Sequence, residues 1–126
     1  MPKNIDLTSN LEQYIIEHST DLSNIQKEII NYNKSLGDKQ RLQISISQAQ
    51  FLQILIESLK IKNILEIGSF TGFSALSMSL ALPKDGLLIS LDKNREISKV
   101  AKSFYVKARE TKIKQIIKPA LESLKE

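Results

Sequence analysis

Apolar positions along this chain recur first with the period of a helix and then with the alternation of strands and helices, and the change divides it. Up to about residue 41 the spacing is helical. Leu11, Ile15 and Ile16 accompany Ser9-Asn10-Leu11-Glu12, which has the form of a capping box, so a first helix is predicted to run to about Ser19. A second is predicted from about Asp21, with Leu22, Ile25, Ile29, Tyr32 and Leu36 stepping by three and four and Gly37 ending it. That narrow stripe suits either packing within the chain or a contact with a second subunit. Ser47-Gln48-Ala49-Gln50 repeats the capping pattern, and Phe51, Leu52, Leu55, Ile56 and Leu59 then predict a third helix with a broad apolar face.

From Asn63 the rhythm changes. Asn63 to Ile67 reads as a short apolar strand, Phe73 to Leu82 as a mostly buried helix, and Leu87 to Leu91 as a second strand, with Pro83-Lys84-Asp85-Gly86 as the turn between them. Asn94 to Ala108 carries Ile97, Val100, Ala101 and Phe104 on one helical face, Ile113 to Ile117 is a third strand, and Ala120 starts a last helix. The fold class is therefore α/β, a helical amino-terminal segment followed by βαβαβ. Such a pattern implies a parallel sheet with right-handed crossovers, which binds ligands beyond the carboxyl ends of its strands. Glu66, Gly68 and Asp92 fall there. With no internal repeat and no low-complexity linker, the division expected is a helical segment over 1–41 and a sheet domain over 42–126.

Composition narrows the chemistry more than the architecture. The 126 residues, 41% hydrophobic and 25% charged, suit one globular core. Cysteine is absent and His18 is the only histidine, which removes thiolate metal sites, disulfide frameworks, Cys-His catalysis and Ser-His-Asp triads. The net charge is +4, but only Arg41, Arg95 and Arg109 are arginines, the lysines are interspersed with acids, and aromatics make up 6%. Nucleic acid is therefore not expected as a partner. No stretch approaches the ~20 apolar residues of a membrane span, and Met1 to Asn10 has no signal-like apolar run, so no membrane partner and a cytoplasmic location are expected.

The chemistry concentrates where the first strand turns into its helix, in Ile64 to Pro83. Phe73 follows Gly72 where a phosphate loop needs lysine, and counting from Gly68 the dinucleotide fingerprint meets Phe70 and Phe73 where it needs glycine. What remains is an acid, Gly68 two residues on, Gly72 four further, and Asp92 at the end of the second strand. Gly68 admits a ligand close to the backbone, Gly72 and the small Ser74 leave room at the helix start, and the helix amino end can receive a carboxylate. Asp92 is placed to accept the hydroxyls of a ribose. Glu66 is costly to bury unless a ligand ammonium or backbone amides pair with it. A nucleoside without phosphates, such as S-adenosylmethionine, has the matching parts. The competing expectation is that the glycines merely close a tight turn and that Asp92 caps the helix starting near Asn94.

These residues resemble the S-adenosylmethionine-dependent O-methyltransferases of the caffeoyl-coenzyme A type. The resemblance rests on Leu42-Gln43-Ile44-Ser45, Gln50-Phe51-Leu52, Leu65-Glu66-Ile67-Gly68, Phe70-Thr71-Gly72-Phe73-Ser74, Ala81-Leu82-Pro83, Asp92 and Pro119-Ala120-Leu121. It implies a Rossmann-like class I methyltransferase sheet that binds S-adenosylmethionine. In it Glu66, Gly68 and Ser74 line the methionine half, Ser69, Phe70 and Gly72 complete the turn, Asp92 holds the ribose, Ala120 sits beside the adenine, and Leu42 and Ile44 lie over the cofactor. It also implies methyl transfer to a hydroxyl of a small phenolic or catechol-like acceptor, a divalent cation such as Mg, and a homodimer.

The chain departs from the family where Arg109 and Lys118 replace usual glycines. Arg109 follows a helix end, where a left-handed residue is expected, and Lys118 puts a long cation near the adenine edge. The metal-binding signature, similar to Asp-Ala-Asp-Lys, has no counterpart between Leu121 and Glu126. The expectation is therefore the amino-terminal half of such an enzyme, with no catalytic or metal-binding residue of its own and a complementing carboxy-terminal half as partner. The alternative is an inactive cofactor-binding or scaffold remnant.

Overall fold

The computed structural model describes residues 5–126; residues 1–4 of the predicted helical segment lie outside the described residues. Helix α1 spans Ser9–Glu17 and α2 spans Asn24–Lys34; a 3-10 turn over Gly37–Leu42 leads to α3, Ile46–Ser58. Then come β1 (Asn63–Ile67), α4 (Phe73–Ala81), β2 (Leu87–Asp92), α5 (Arg95–Lys107), β3 (Ile113–Ile117) and α6 (Ala120–Ser123). The strands form one parallel sheet in the order β1-β2-β3, with Leu65 opposite Ile89 and Leu91 opposite Ile116. The predicted α/β class and the βαβαβ order hold.

The helix starts differ by one to three residues from the predicted ones, and the caps explain why. Thr8, not Ser9, caps α1 by accepting from the Leu11 N–H. Ser23 and Gln26 form a reciprocal capping box that starts α2 later than Asp21. Ser45, not Ser47, caps α3, and the Ser47 hydroxyl donates instead to Glu12 of α1. In each case the residue in extended backbone ahead of the first turn is the one whose oxygen reaches an orphan N–H. Gly37 does not end α2 but opens the 3-10 turn with φ of +60°.

The core lies between the sheet and the helices on one side of it. Ile29 of α2, Ala49 and Ile56 of α3, Phe73, Ala75 and Leu76 of α4, Ala101 and Tyr105 of α5, and Leu88 and Ile113 of the sheet form one cluster. The apolar stripe of α2 is used within the chain, where Tyr32 meets Phe104 of α5 edge to face at 5.9 Å. On α3 the broad apolar face is only partly buried. Ala49, Leu52 and Ile56 turn inward while Phe51, Ile54 and Leu59 stay exposed, because α4, the main neighbour of α3, packs against one stripe of that helix. On α5 the fully buried positions are Ser98, Ala101 and Tyr105; Ile97, Val100 and Phe104 are half-buried beside them.

Left-handed residues close two helices. Arg109 has φ of +54°, as expected of its position, with its own N–H bonded to Val106 and the Glu110 N–H bonded back to Tyr105. Lys60 does the same after α3 with φ of +53°. Both are Schellman closures without glycine, each costing about 1 kcal/mol. Among the described residues no helix is long and apolar enough to cross a membrane.

Candidate functional site

Beyond the carboxyl ends of β1 and β2 the chain makes a sharp turn at Gly68 to Gly72. Gly68 extends the ladder by donating its N–H to the Leu91 carbonyl at 2.7 Å, and then the backbone turns left-handed at Gly68, Phe70 and Gly72, with φ of +87°, +48° and +94°. A phenylalanine in that region is strained and needs outside support. Asp92 provides it. One carboxylate oxygen accepts the Ser69 N–H at 3.0 Å, the Phe70 N–H at 3.2 Å and the Ser69 hydroxyl at 3.3 Å. The other accepts the Asn94 N–H at 2.8 Å, and Asn94 itself caps α5 by accepting from Ile97. Asp92 is thus a clasp for the turn and not the helix cap.

Glu66 lies on the helix-covered face of β1, directly across the ladder from Ser90. That register brings the Ser90 hydroxyl to 2.9 Å as a donor, and the Ser74 hydroxyl of α4 donates to the other carboxylate oxygen. The predicted partners were a ligand ammonium or backbone amides; the structure supplies two hydroxyls, because small serines stand above and beside the strand end. Burial pushes the Glu66 carboxyl above the ordinary glutamate range, the two hydroxyls oppose that shift, and the nearby Asp92 charge adds to it.

Gly72 is required by Tyr105, which the sequence pattern did not single out. A methyl group at Gly72 would lie 2.6 Å from the Tyr105 ring and 2.7 Å from its hydroxyl. The Tyr105 hydroxyl is buried without a hydrogen-bond partner, and burial followed by the charges of Glu66 and Asp92 pushes its ionisation upward. Its position four residues after Ala101 was the available signal. The face carrying Ser98, Ala101 and Tyr105 is spaced as regularly as the face of Ile97, Val100, Ala101 and Phe104.

The structure brings Leu42, Gly68, Phe70 and Asp92 together around one cavity of about 320 Å³, where Lys39, Asn94 and Ile97 complete the wall. That is the lower end of the range for a small-molecule site. Glu66, Ser69, Gly72 and Ser74 do not line it: Ser69 bonds to Asp92 of the wall, Ser74 bonds to Glu66, and Gly72 forms the start of α4, which has no side-chain cap on its first-turn amides. Ile44 packs into the core from the half-buried layer, and Ala120 starts α6; neither lines this cavity. Lys118 pairs with Glu126 at 2.7 Å. Two further hollows, of about 360 and 600 Å³, border the link between α1 and α2, far from the strand ends, and none of the predicted residues lines them. Among the described residues no group of three acidic or histidine side chains is placed to hold a metal ion.

Comparisons with known proteins place this geometry. Residues 16–126 match the model of a family described as O-methyltransferase. Probable caffeoyl-CoA O-methyltransferase 2 of Dictyostelium discoideum is 32% identical over 123 residues, covering 97% of this chain and 53% of that protein. Caffeoyl-CoA O-methyltransferase of Populus kitakamiensis is 33% identical over 109 residues, covering 84% and 46%. The chain spans about half the length of the curated relatives it matches. Among solved structures, the O-methyltransferase TomG of Streptomyces achromogenes, in complex with SAM, superposes with a TM-score of 0.85 at 25% identity over 92% of this chain and 52% of that one. An O-methyltransferase of Bacillus cereus in complex with SAH has the same fold, with a TM-score of 0.82 at 24% identity over 92% and 53%.

Proposed function

We propose that this chain, which belongs to the O-methyltransferase family, binds S-adenosylmethionine in the cavity at the ends of β1 and β2 and serves as the cofactor half of a methyltransferase. The observation that carries this reading is the convergence of Leu42, Gly68, Phe70 and Asp92 on one cavity at the strand ends. Gly68 offers open backbone, since nothing lies within 4 Å of where its side chain would be. The ribose hydroxyls go to Asp92. Its four donors already occupy about four lone-pair sites, and the Ser69 hydroxyl at 3.3 Å is the longest and the one a ribose hydroxyl displaces. The uncapped first turn of α4 faces the cofactor carboxylate and Glu66 its ammonium. Leu42 of the cavity wall lies over the cofactor, and Ile44 and Ala120, outside that wall, would meet only the parts of the cofactor that extend beyond it.

Methyl transfer is an in-line displacement at a sulfonium, so the protein must align donor and acceptor, exclude water and assist loss of the acceptor proton. The described residues suit the first two tasks. The acceptor is a hydroxyl of a small, phenolic or catechol-like molecule, and the divalent cation that would assist its deprotonation finds no ligand set among the described residues. Those ligands come from the carboxy-terminal half that the relatives carry beyond the matched residues, which also covers the exposed edge of β1.

Calorimetry with S-adenosylmethionine tests the cofactor reading. Micromolar binding is expected, weakened about tenfold in Asp92→Asn, which keeps an acceptor for the Ser69 and Phe70 amides while losing the charge that favours two ribose hydroxyls. A folded chain that gives no heat overturns it. Radiolabelled methyl transfer to a catechol with magnesium, with and without an added carboxy-terminal half, tests the activity. Labelled product is expected only with that half present; its absence in both arms leaves a scaffold as the surviving reading.

A further inference from the structure

One fully buried polar side chain of α2 connects the two walls of the cavity. Asn33 is 0% exposed, and so is Thr71 at the centre of the turn after β1. The Thr71 hydroxyl donates to Asn33 Oδ1 at 2.6 Å, and Asn33 Nδ2 donates to Gln43 Oε1 at 2.7 Å. Thr71 immediately follows Phe70, which lines the cavity on the turn side. Gln43 immediately follows Leu42, which lines it on the opposite side, and ends the 3-10 turn through its own N–H to Gln40 at 3.1 Å. A single planar amide, with one acceptor and one donor in fixed geometry, therefore sets the spacing between the end of the 3-10 turn and the turn after β1. An aliphatic residue at 33 would leave the Thr71 hydroxyl and the Gln43 carbonyl without partners.

We propose that Asn33 is a positioning residue for the cavity, holding the segment of Leu42 at a fixed distance from the turn of Gly68 to Gly72, so that loosening one wall loosens the other. For the cofactor this rests on the function proposed above; for the coupling of the two walls it does not. The structure contains a built-in control. Gln26 Nε2 donates to the Ser77 hydroxyl at 2.9 Å, a buried bond from α2 to α4 itself, and neither residue lines the cavity. If the amide at 33 served stability alone, breaking either bond would have the same consequences.

Amide hydrogen exchange on the full chain separates the two roles. Thr71→Val keeps the shape of the side chain and removes the donor. It is expected to speed exchange of the Gln43 N–H about tenfold relative to the parent, whereas Thr71→Ser, which keeps a hydroxyl, restores protection. Ser77→Ala is expected to lower the melting temperature by a similar amount without changing exchange at Gln43. Gln43→Leu, at a half-buried position outside the core, reads the coupling in the other direction through faster exchange of the Gly72 N–H, which is bonded to Ser69 at 3.0 Å. Unchanged exchange at Gln43 in Thr71→Val and at Gly72 in Gln43→Leu overturns the proposal, as does equal acceleration at Gln43 in Ser77→Ala. Calorimetry of the same set then carries it to the cofactor, with affinity about tenfold weaker in Thr71→Val and unchanged in Ser77→Ala. A parent chain that binds no S-adenosylmethionine refutes the proposed function, while the exchange results still decide the coupling.

Discussion

The two faces of the three-stranded sheet both carry large apolar residues, and these meet opposite fates. On one face Leu88 is 0% and Ile113 8% exposed, and Ile64 beside Leu88 packs against the same core cluster. On the other, Leu65 is 54% and Ile67 61% exposed although they alternate with Ile64 and Glu66 along the same strand. Strands added in one direction with right-handed crossovers put both crossover helices on the same side, and here α4 and α5 join one core cluster with α2 and α3. Leu91 is the buried exception on the open face, in the strand that α6 contacts. A parallel sheet is ordinarily covered on both faces. The covered face thus holds the residues that shape the cavity, and the open one, continuous with the unpaired edge of β1, is the surface the proposed carboxy-terminal half would occupy.

Truncating a residue on each face tests that contrast most strongly. Leu88→Ala is expected to destabilise the chain by about 3 to 4 kcal/mol, whereas Leu65→Ala is expected to cost less than about 1 kcal/mol, because little buried contact is lost. Urea unfolding of both variants measures the difference. Equal losses would mean that the open face is covered in solution, and sedimentation would then show whether a second copy covers it.

Much of this was legible in the sequence, and the misses share a cause. All three strands appear within one residue of their predicted limits, because runs such as Asn63 to Ile67 between turn residues have little alternative, and the spacing of Glu66, Gly68, Gly72 and Asp92 marked the strand ends where the cavity lies. The pattern could not show which apolar stripe of α3 faces inward, since both Phe51 and Leu52 fit the period and only the placement of α4 decides. It also missed Gln26, Asn33 and Tyr105. Their polar atoms look like surface positions until the fold supplies partners from distant segments, as Ser77, Thr71 and Gln43 do, or a tight turn such as Gly72 to pack against.

The turn on the covered side should tolerate less than a turn of the same handedness outside it. Gly72→Ala must keep φ of +94° and displace the Tyr105 ring, and is expected to cost about 2 to 3 kcal/mol. Gly37→Ala has φ of +60° with nothing within 4 Å of the added carbon, so only the backbone term of about 1 kcal/mol applies. Thermal melts read the two. Adding Tyr105→Leu to Gly72→Ala should recover part of the loss; no recovery would show that the ring does not set the limit.

The smallest effect expected is electrostatic and also belongs to the covered face. Burial raises the Glu66 carboxyl above its unfolded value against the pull of the Ser74 and Ser90 hydroxyls, so its protonated form is favoured by folding. The stability it contributes is fully present below the ordinary glutamate value and is lost as pH rises through the raised folded value. Glu66→Gln removes that loss. It is expected to leave stability near pH 4 little changed, to raise it by less than about 1 kcal/mol at pH 7, and to flatten the slope between. The same substitution should weaken S-adenosylmethionine, since an amide is a poor partner for the cofactor ammonium. A chain that gains stability while losing affinity would show Glu66 kept ionised at a cost to the fold for the sake of the ligand; one that loses both would make the carboxylate a structural clasp between β1, β2 and α4.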